Sequence, residues 1–279
     1  MAQDRGPGTI RLVASDLDGT LLRPDVTISE RTRKAIHRVR DAGITFVAVT
    51  GRPPRSVRDL REDLGLEGIA ICANGALVYD LDADTILDQT LLAREIALRI
   101  VQGLRDAAPG VVFAWEDADG FASEPGWGRD PFLPADRLGR GDPAELLTAP
   151  VAKLLVRHRE MDFDELAAHA RAVVGEEAVV TWSSPHIVEV SAAGVTKAFA
   201  LERVSARLGV GREEVLAIGD NENDLPMLRW AGRSAAVANA SARVLGMVDE
   251  VTASNLDDGV ALLLERLVEE AERPRPDQG

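Results

Sequence analysis

Asp16 and Asp18 stand two residues apart in the run Ser15-Asp16-Leu17-Asp18-Gly19-Thr20-Leu21, directly after an apolar stretch. Residues two apart on an extended segment point to the same side, so both carboxylates can serve one site at a strand's C-terminal end, where open α/β sheets bind ligands. Two carboxylates ~4 Å apart repel by about 4 kcal/mol at an effective dielectric of ~20, so keeping both ionised calls for a cation. Alone, an Asp-x-Asp-Gly fragment equally suits a solvated acidic turn in which Gly19 supplies a positive φ.

A second acidic cluster, Gly219-Asp220-Asn221-Glu222-Asn223-Asp224, also follows an apolar run and opens a helical segment. Asp220 is expected at the strand end and Asp224 on the first helical turn. Asn223 or Asp224 qualifies as a helix N-cap, but a cap accounts for one residue and not for four polar groups at the tip of an apolar strand. Hard oxygen ligands at two neighbouring strand ends suit Mg²⁺, which takes one or two carboxylates plus waters and phosphate oxygens. Thr50-Gly51-Arg52, at the end of another apolar run, offers a hydroxyl, a backbone free of Cβ and a helix N-terminus, the groups that cradle phosphate. Thr-Gly is also a common turn. Lys197, opening a helix after Gly194-Val195-Thr196, adds a compact positive charge or is simply exposed to solvent.

The surrounding pattern must position these groups. Ile10 to Ala14 reads as a strand buried on both faces. Ser29 and Glu30 open a helix with Ile36 and Val39 at helical spacing, closed by Gly43. Ile44 to Val49 is a second strand, and a helix runs from Arg55 to Leu64. The rhythm resumes with a helix at Lys197 to Leu208, strands at Val215 to Ile218 and Ala235 to Val237, and helices at Asp224 to Trp230, Ser241 to Val248 and Gly259 to Ala271. Parallel strands need helix-length crossovers, so this is an α/β fold with a Rossmann-like parallel sheet and helices on both faces. From Asp82 to Glu189 the order changes. Helices at Ala93 to Ala107 and Phe163 to Val174 alternate with strands at Val111 to Glu116, Ala152 to Arg157, Val179 to Trp182 and Ile187 to Ser191, around an irregular Gly120 to Pro143. An inserted α+β domain is predicted over 83–189, splitting the core into 1–82 and 190–279. Pro274, Pro276 and Gly279 predict a frayed tail.

With 279 residues, 46% apolar and 28% charged, the chain has the composition of a globular protein of about two domains, given ~150 residues each. Its 46 acidic and 32 basic residues leave a net charge of −14, the opposite of a nucleic-acid or anionic-membrane binder. No apolar run reaches the ~18 residues of a membrane helix, and no signal-peptide block stands at Met1 to Gly8. The expectation is a soluble, cytoplasmic protein, monomeric or homodimeric. Distant surface charge is screened within a Debye length of ~8 Å, so it does not bar an anionic substrate. The single cysteine, Cys72, is expected in the core.

Together the four segments resemble the haloacid dehalogenase superfamily of aspartate-nucleophile phosphatases, and within it the Cof-like members with a type IIB cap. Asp16-Leu17-Asp18-Gly19-Thr20, Thr50-Gly51-Arg52-Pro53, Gly194-Val195-Thr196-Lys197 and Gly219-Asp220 through Asn223-Asp224 are similar to its motifs one to four. Asn74-Gly75-Ala76, Asn239-Ala240 and Asp258-Gly259-Val260 are similar to secondary signatures of the subgroup. The resemblance implies an aspartyl phosphate at Asp16 and alternate acid and base work by Asp18. It implies Mg²⁺ held by Asp16, the carbonyl of Asp18, and Asp220, with Asp224 behind them. Thr50 and Lys197 would hold phosphoryl oxygens, and Gly51, Arg52, Asn74 and Asn223 would add contacts. Ser15 and Ala238 depart from the usual pattern at positions given no catalytic role.

In the family the insert closes over the site and chooses the leaving group. Trp115, Glu116, Trp127, Arg129, Trp182 and His186 are candidates for substrate contact, although a strand tryptophan commonly packs in a core. The implied function is Mg²⁺-dependent hydrolysis of small phosphate monoesters, either sugar phosphates or cofactors such as flavin mononucleotide or pyridoxal phosphate. The alternatives are a phosphatase dedicated to one sugar phosphate, of sucrose-phosphate or mannosyl-phosphoglycerate type, and a non-catalytic phospho-ligand or receiver-like module. Asp18 and the insert argue against a receiver.

Overall fold

The computed structural model describes residues 9–118, 120–128, 137–184 and 186–272. In chain order its elements are β1 (Leu12–Asp16), α1 (Glu30–Asp41), β2 (Thr45–Val49), α2 (Pro54–Leu64), β3 (Ile69–Cys72), β4 (Leu77–Asp80), β5 (Thr85–Gln89), α3 (Arg94–Ala107), β6 (Val112–Glu116), β7 (Phe121–Ser123), β8 (Arg137–Arg140), α4 (Pro143–Leu146), β9 (Lys153–Arg157), α5 (Phe163–Val174), β10 (Ala178–Ser184), β11 (Ile187–Ala192), α6 (Lys197–Leu208), β12 (Val215–Gly219), α7 (Leu225–Trp230), β13 (Arg233–Ala236), α8 (Ala242–Leu245), β14 (Glu250–Val251) and α9 (Gly259–Glu272). This is the α/β architecture expected from the sequence. Two compact units divide it, one of Met1–Val49, Leu60–Ile69 and Leu201–Gly279, the other of Thr50–Asp59 and Ala70–Ala200.

In the first unit the strands lie in the order β14-β13-β12-β1-β2, all parallel. Every residue of β1 and β12 is buried, which is why both read as continuous apolar runs and not as alternating ones. The register pairs Ser15 with Ile218 and Asp16 with Val49. It therefore carries Asp16 and Gly219-Asp220 to the same edge of the sheet. β1 runs two residues further than the apolar pattern predicts, because its ladder with β2 continues through Asp16. α1 is capped by Ser29, whose side chain accepts from the Thr32 amide. It packs on α9, with Arg31 paired to Glu265 across the two helices, and its Ile36 and Val39 are buried.

Two sequence expectations shift here. The helix predicted from Ser241 to Val248 is the short α8, capped by Ser241 and followed by Gly246. Asp224 does not sit in an α-helical turn but ends a 3₁₀ turn, Glu222–Asp224, ahead of α7.

The second unit holds a six-stranded sheet in the order β10-β11-β9-β6-β7-β8. Period-two alternation gives it two different faces. Phe113, Trp115, Leu154, Val156, Val188 and Val190 pack with Ile100 and Leu104 of α3 and Leu166 and Ala170 of α5. On the other face Ala114 and Leu155 join Phe121 and Trp127 in a smaller apolar cluster. The stretch Gly120 to Pro143, predicted to be irregular, contributes β7 and β8. Arg129 and the tail from Pro274 lie outside the described residues. Among the described residues no helix is long and apolar enough to cross a membrane.

Candidate active site

The parallel register already places Asp16 and Asp220 at neighbouring strand ends, and the side chains converge from there. Asp16, Asp220 and Asp224 each offer a ligand atom within 4.8 Å of the others. Asp16 and Asp224 are buried. Asp224 also braces the loop: its Oδ2 accepts from the amides of Asp220 at 2.9 Å and Asn221 at 3.0 Å. Gly219 makes room for it, since a Cβ there would stand 2.6 Å from the Cβ of Asp224. Thr20 Oγ1 donates to Asp220 Oδ1 at 2.7 Å. Gly19 has φ +86, and a Cβ on it would stand 2.5 Å from Asp220 Oδ2, so both the conformation and the close approach require glycine.

Two of the secondary signatures hold this segment. Asn239 Nδ2 donates to the Gly19 carbonyl at 2.8 Å and its Oδ1 accepts from the Asn255 amide. Asn255 in turn donates to the Leu22 carbonyl. Asp258, at φ +58, pairs with Arg23 at 3.0 Å. Asp18 is exposed, and the three-carboxylate group does not include it. Asn223 is partly buried in the 3₁₀ turn. A trio of carboxylates this close, all hard oxygen donors, fits a divalent cation such as Mg²⁺.

In the second unit, Thr50 is fully buried. Its Oγ1 accepts from the Arg52 amide at 3.0 Å, and its carbonyl accepts from the Asn74 amide at 3.0 Å. The Ala73 amide donates to the Arg52 carbonyl, so residues 50–52 and 73–74 form one backbone-linked cradle. Ala73, Asn74 and Gly75 all have positive φ. A Cβ on Gly75 would stand 2.2 Å from the Thr196 carbonyl oxygen, and so only glycine lets this turn approach the head of α6. Thr196 Oγ1 accepts from the Phe199 amide. Lys197 is fully buried, which removes the alternative of a solvent-exposed lysine.

The candidates from the inserted segment separate by environment. Trp115 belongs to the core under α3 and α5. Trp127 is 2% exposed and stacks beneath the Arg157 guanidinium, 4.7 Å from its ring. Trp182 packs edge-on against Phe163 and lies under Arg171. Glu116 is buried in an ion-pair network. His186 is exposed. Cys72 is fully buried, and desolvation pushes its thiol pKa up.

Sequence reasoning overlooked Thr20, Arg55, Lys153, Ser183 and Glu189. Lys153 and Glu189 did leave a trace, a single charge in each of the apolar strands Lys153-Leu154-Leu155-Val156 and Ile187-Val188-Glu189-Val190. Both side chains are buried, and Lys153 pairs with Glu189 at 3.0 Å and Glu116 at 3.2 Å. Burial works against its ammonium, yet the two carboxylates hold its pKa above the ordinary lysine value.

An acidic trio at the strand ends of a parallel α/β sheet is a donor set suited to a divalent cation. The family model for haloacid dehalogenase-like hydrolases matches residues 13–264, and the chain belongs to that family, in its Cof-like branch. It is 31% identical to a 5-amino-6-(5-phospho-D-ribitylamino)uracil phosphatase of Bacillus subtilis over 94% of this chain and 97% of that protein. It is 28% identical to a pyridoxal phosphate phosphatase of Escherichia coli, covering 91% and 97%. The fold matches a haloacid dehalogenase-like hydrolase from Bacteroides thetaiotaomicron with a TM-score of 0.77 at 28% identity, covering 93% of this chain and all of that one. The protein is a phosphatase.

Proposed function

We propose that the protein hydrolyses phosphate monoesters of small metabolites, sugar phosphates or phosphorylated cofactors such as pyridoxal phosphate and flavin mononucleotide, with Mg²⁺ and an aspartyl-phosphate intermediate. The observation that carries this reading is the convergence of Asp16, Asp220 and Asp224 within 4.8 Å. The substrates named for the two relatives, a phosphoribityl uracil and pyridoxal phosphate, support the metabolite class.

A carboxylate oxygen of Asp16 attacks phosphorus, and the bond from phosphorus to the ester oxygen breaks. Asp18 gives its proton to the leaving alkoxide, a role its exposure permits. Water then attacks the same phosphorus, Asp18 takes the water's proton, and the bond to Asp16 breaks to release inorganic phosphate. Thr50 and Lys197 hold phosphoryl oxygens, with the Gly51 backbone, Arg52, Asn74 and Asn223 assisting. Asp16, the Asp18 carbonyl and Asp220 would hold Mg²⁺, with Asp224 steadying the loop. When bound, the ion supplies positive charge that offsets the carboxylates and the phosphoryl oxygens. His186 is assigned to leaving-group contact.

A phosphate-release screen across metabolite esters with Mg²⁺ tests the reading, with Asp16→Asn as the control. The variant is expected to fold and to lose turnover. Multiple turnover by Asp16→Asn, or no ester cleaved by the unaltered protein, overturns the reading.

A further inference from the structure

Four charged side chains are buried together in the second unit: Arg55, Glu116, Lys153 and Glu189. Arg55 pairs with Glu116 at 2.8 Å, Glu116 with Lys153 at 3.2 Å, and Lys153 with Glu189 at 3.0 Å. β6 and β9 set Glu116 directly opposite Lys153. Glu189 lies opposite Leu155, two residues further along β9, on the same face. Two cations and two carboxylates leave the group with no net charge, so it neither attracts nor repels a phosphate. It therefore acts through position.

The network ends on the cradle. Lys153 Nζ donates to the Gly51 carbonyl at 2.7 Å. Asn74 Nδ2 donates to Glu189 Oε2. Glu189 Oε1 accepts from both Lys153 and Ser183, so both oxygens of that carboxylate are engaged. Gly51 itself lies against this group, since a Cβ on it would stand 3.1 Å from Asn74 Oδ1 and 3.2 Å from Ser183 Oγ. Burying an ion pair is costly unless its geometry and hydrogen bonds are good. Here that cost falls where Gly51 and Asn74 are fixed.

We infer that Lys153 and Glu189 are positioning residues that, through the Gly51 carbonyl and the Asn74 side chain, set the Gly51 backbone amide in the geometry that binds the phosphate group of any ester. The inference rests on the proposed role of the Gly51 backbone in holding phosphate. Because the network touches the cradle and carries no net charge, it governs affinity for the phosphate that all substrates share and not the choice among leaving groups.

Glu189→Gln tests it. One Gln oxygen cannot replace two, so an amide donor must face either Asn74 or Lys153, while the side-chain shape is kept. The readouts are the inhibition constant of inorganic phosphate, KM and kcat for p-nitrophenyl phosphate and for a bulky ester, and the thermal midpoint. Expected is a rise of about tenfold in the inhibition constant and in both KM values alike, matching one hydrogen bond to a charged partner, with kcat changed less than about threefold. Ser183→Ala, which leaves all four charges in place, is expected to show a smaller rise of about threefold, and it decides the matter if Glu189→Gln fails to fold. A lowered midpoint with an unchanged inhibition constant in the folded variants would mean a merely structural role and overturns the inference alone. Failure of the unaltered protein to cleave any ester or to bind inorganic phosphate removes the proposed function and this inference together.

Discussion

Thr20 Oγ1 lies 2.7 Å from Asp220 Oδ1, joining residues 200 apart in the chain. The hydroxyl fixes one oxygen of a carboxylate that also belongs to the acidic trio. Thr20→Val removes that hydrogen bond while keeping the side-chain shape. Supporting hydrogen bonds to metal-binding carboxylates are worth ~10- to 100-fold in metal affinity. The Mg²⁺ concentration giving half-maximal phosphate release is expected to rise by at least about tenfold, with activity at saturating Mg²⁺ largely restored. An unchanged Mg²⁺ titration would remove Thr20 from this role.

Three carboxylates that each offer a ligand atom within 4.8 Å of the others suit a divalent cation. Mg²⁺ is therefore expected to raise the thermal midpoint, and binding at 100 times Kd contributes ~2.7 kcal/mol. EDTA should reverse the shift and suppress phosphate release, and Asp220→Asn should weaken both effects. Calorimetric scans with and without Mg²⁺ provide the check.

Gly75 has φ +103, and a Cβ there would stand 2.2 Å from the Thr196 carbonyl oxygen. Gly68 has φ +71 and nothing within 4 Å of the same position. Gly68→Ala is expected to cost only the conformational term, ~1–2 kcal/mol, and Gly75→Ala distinctly more. Denaturant midpoints of the two variants separate strain from collision.

Trp127 is buried in the smaller apolar cluster, whereas His186 is exposed. Trp127→Ala is expected to lower stability by ~3–5 kcal/mol. His186→Ala should stay within ~0.5 kcal/mol and alter the ranking of esters more than the rate on p-nitrophenyl phosphate. Equal losses on every ester would count against His186 as a leaving-group contact.

The pKa of Lys153 is raised above its ordinary value of 10.5, desolvation being outweighed by Glu189 and Glu116. A raised folded-state value means that the stabilisation is complete below the unfolded value and is lost as pH climbs through the folded one. Stability should therefore decline on the alkaline side of 10.5, and Lys153→Met should show a shallower decline over that range. Denaturant titrations of both proteins from neutral to strongly alkaline pH read the difference.

The parts of this molecule that local pattern governs are legible in its sequence. Apolar runs gave β1, β2 and β12, and a capping serine followed by helical spacing gave α1. The convergence of Asp16, Asp220 and Asp224 follows from strand ends at one edge of a parallel sheet, which is itself a consequence of helix-length crossovers. Pairings across long loops were not legible. Lys153 and Glu189 look like isolated charges in apolar strands until the register brings β9 and β11 together. The double duty of Asp224, holding two amides while facing the trio, depends on a 3₁₀ turn that spacing alone does not distinguish from the start of an α-helix. Trp127 lies inside an unpatterned stretch, so its spacing carries the same signal as an exposed aromatic; the cluster that buries it, with Ala114, Phe121 and Leu155, draws on three strands.

Cys72 is the chain's single sulfhydryl, buried within β3 and resistant to ionisation. Since the thiolate is the reactive form, the native protein presents a silent background to maleimide or nitroxide reagents. One cysteine introduced at an exposed position such as His186 would take up label alone, which makes fluorescence or spin-resonance reporting feasible without first engineering the native residue away.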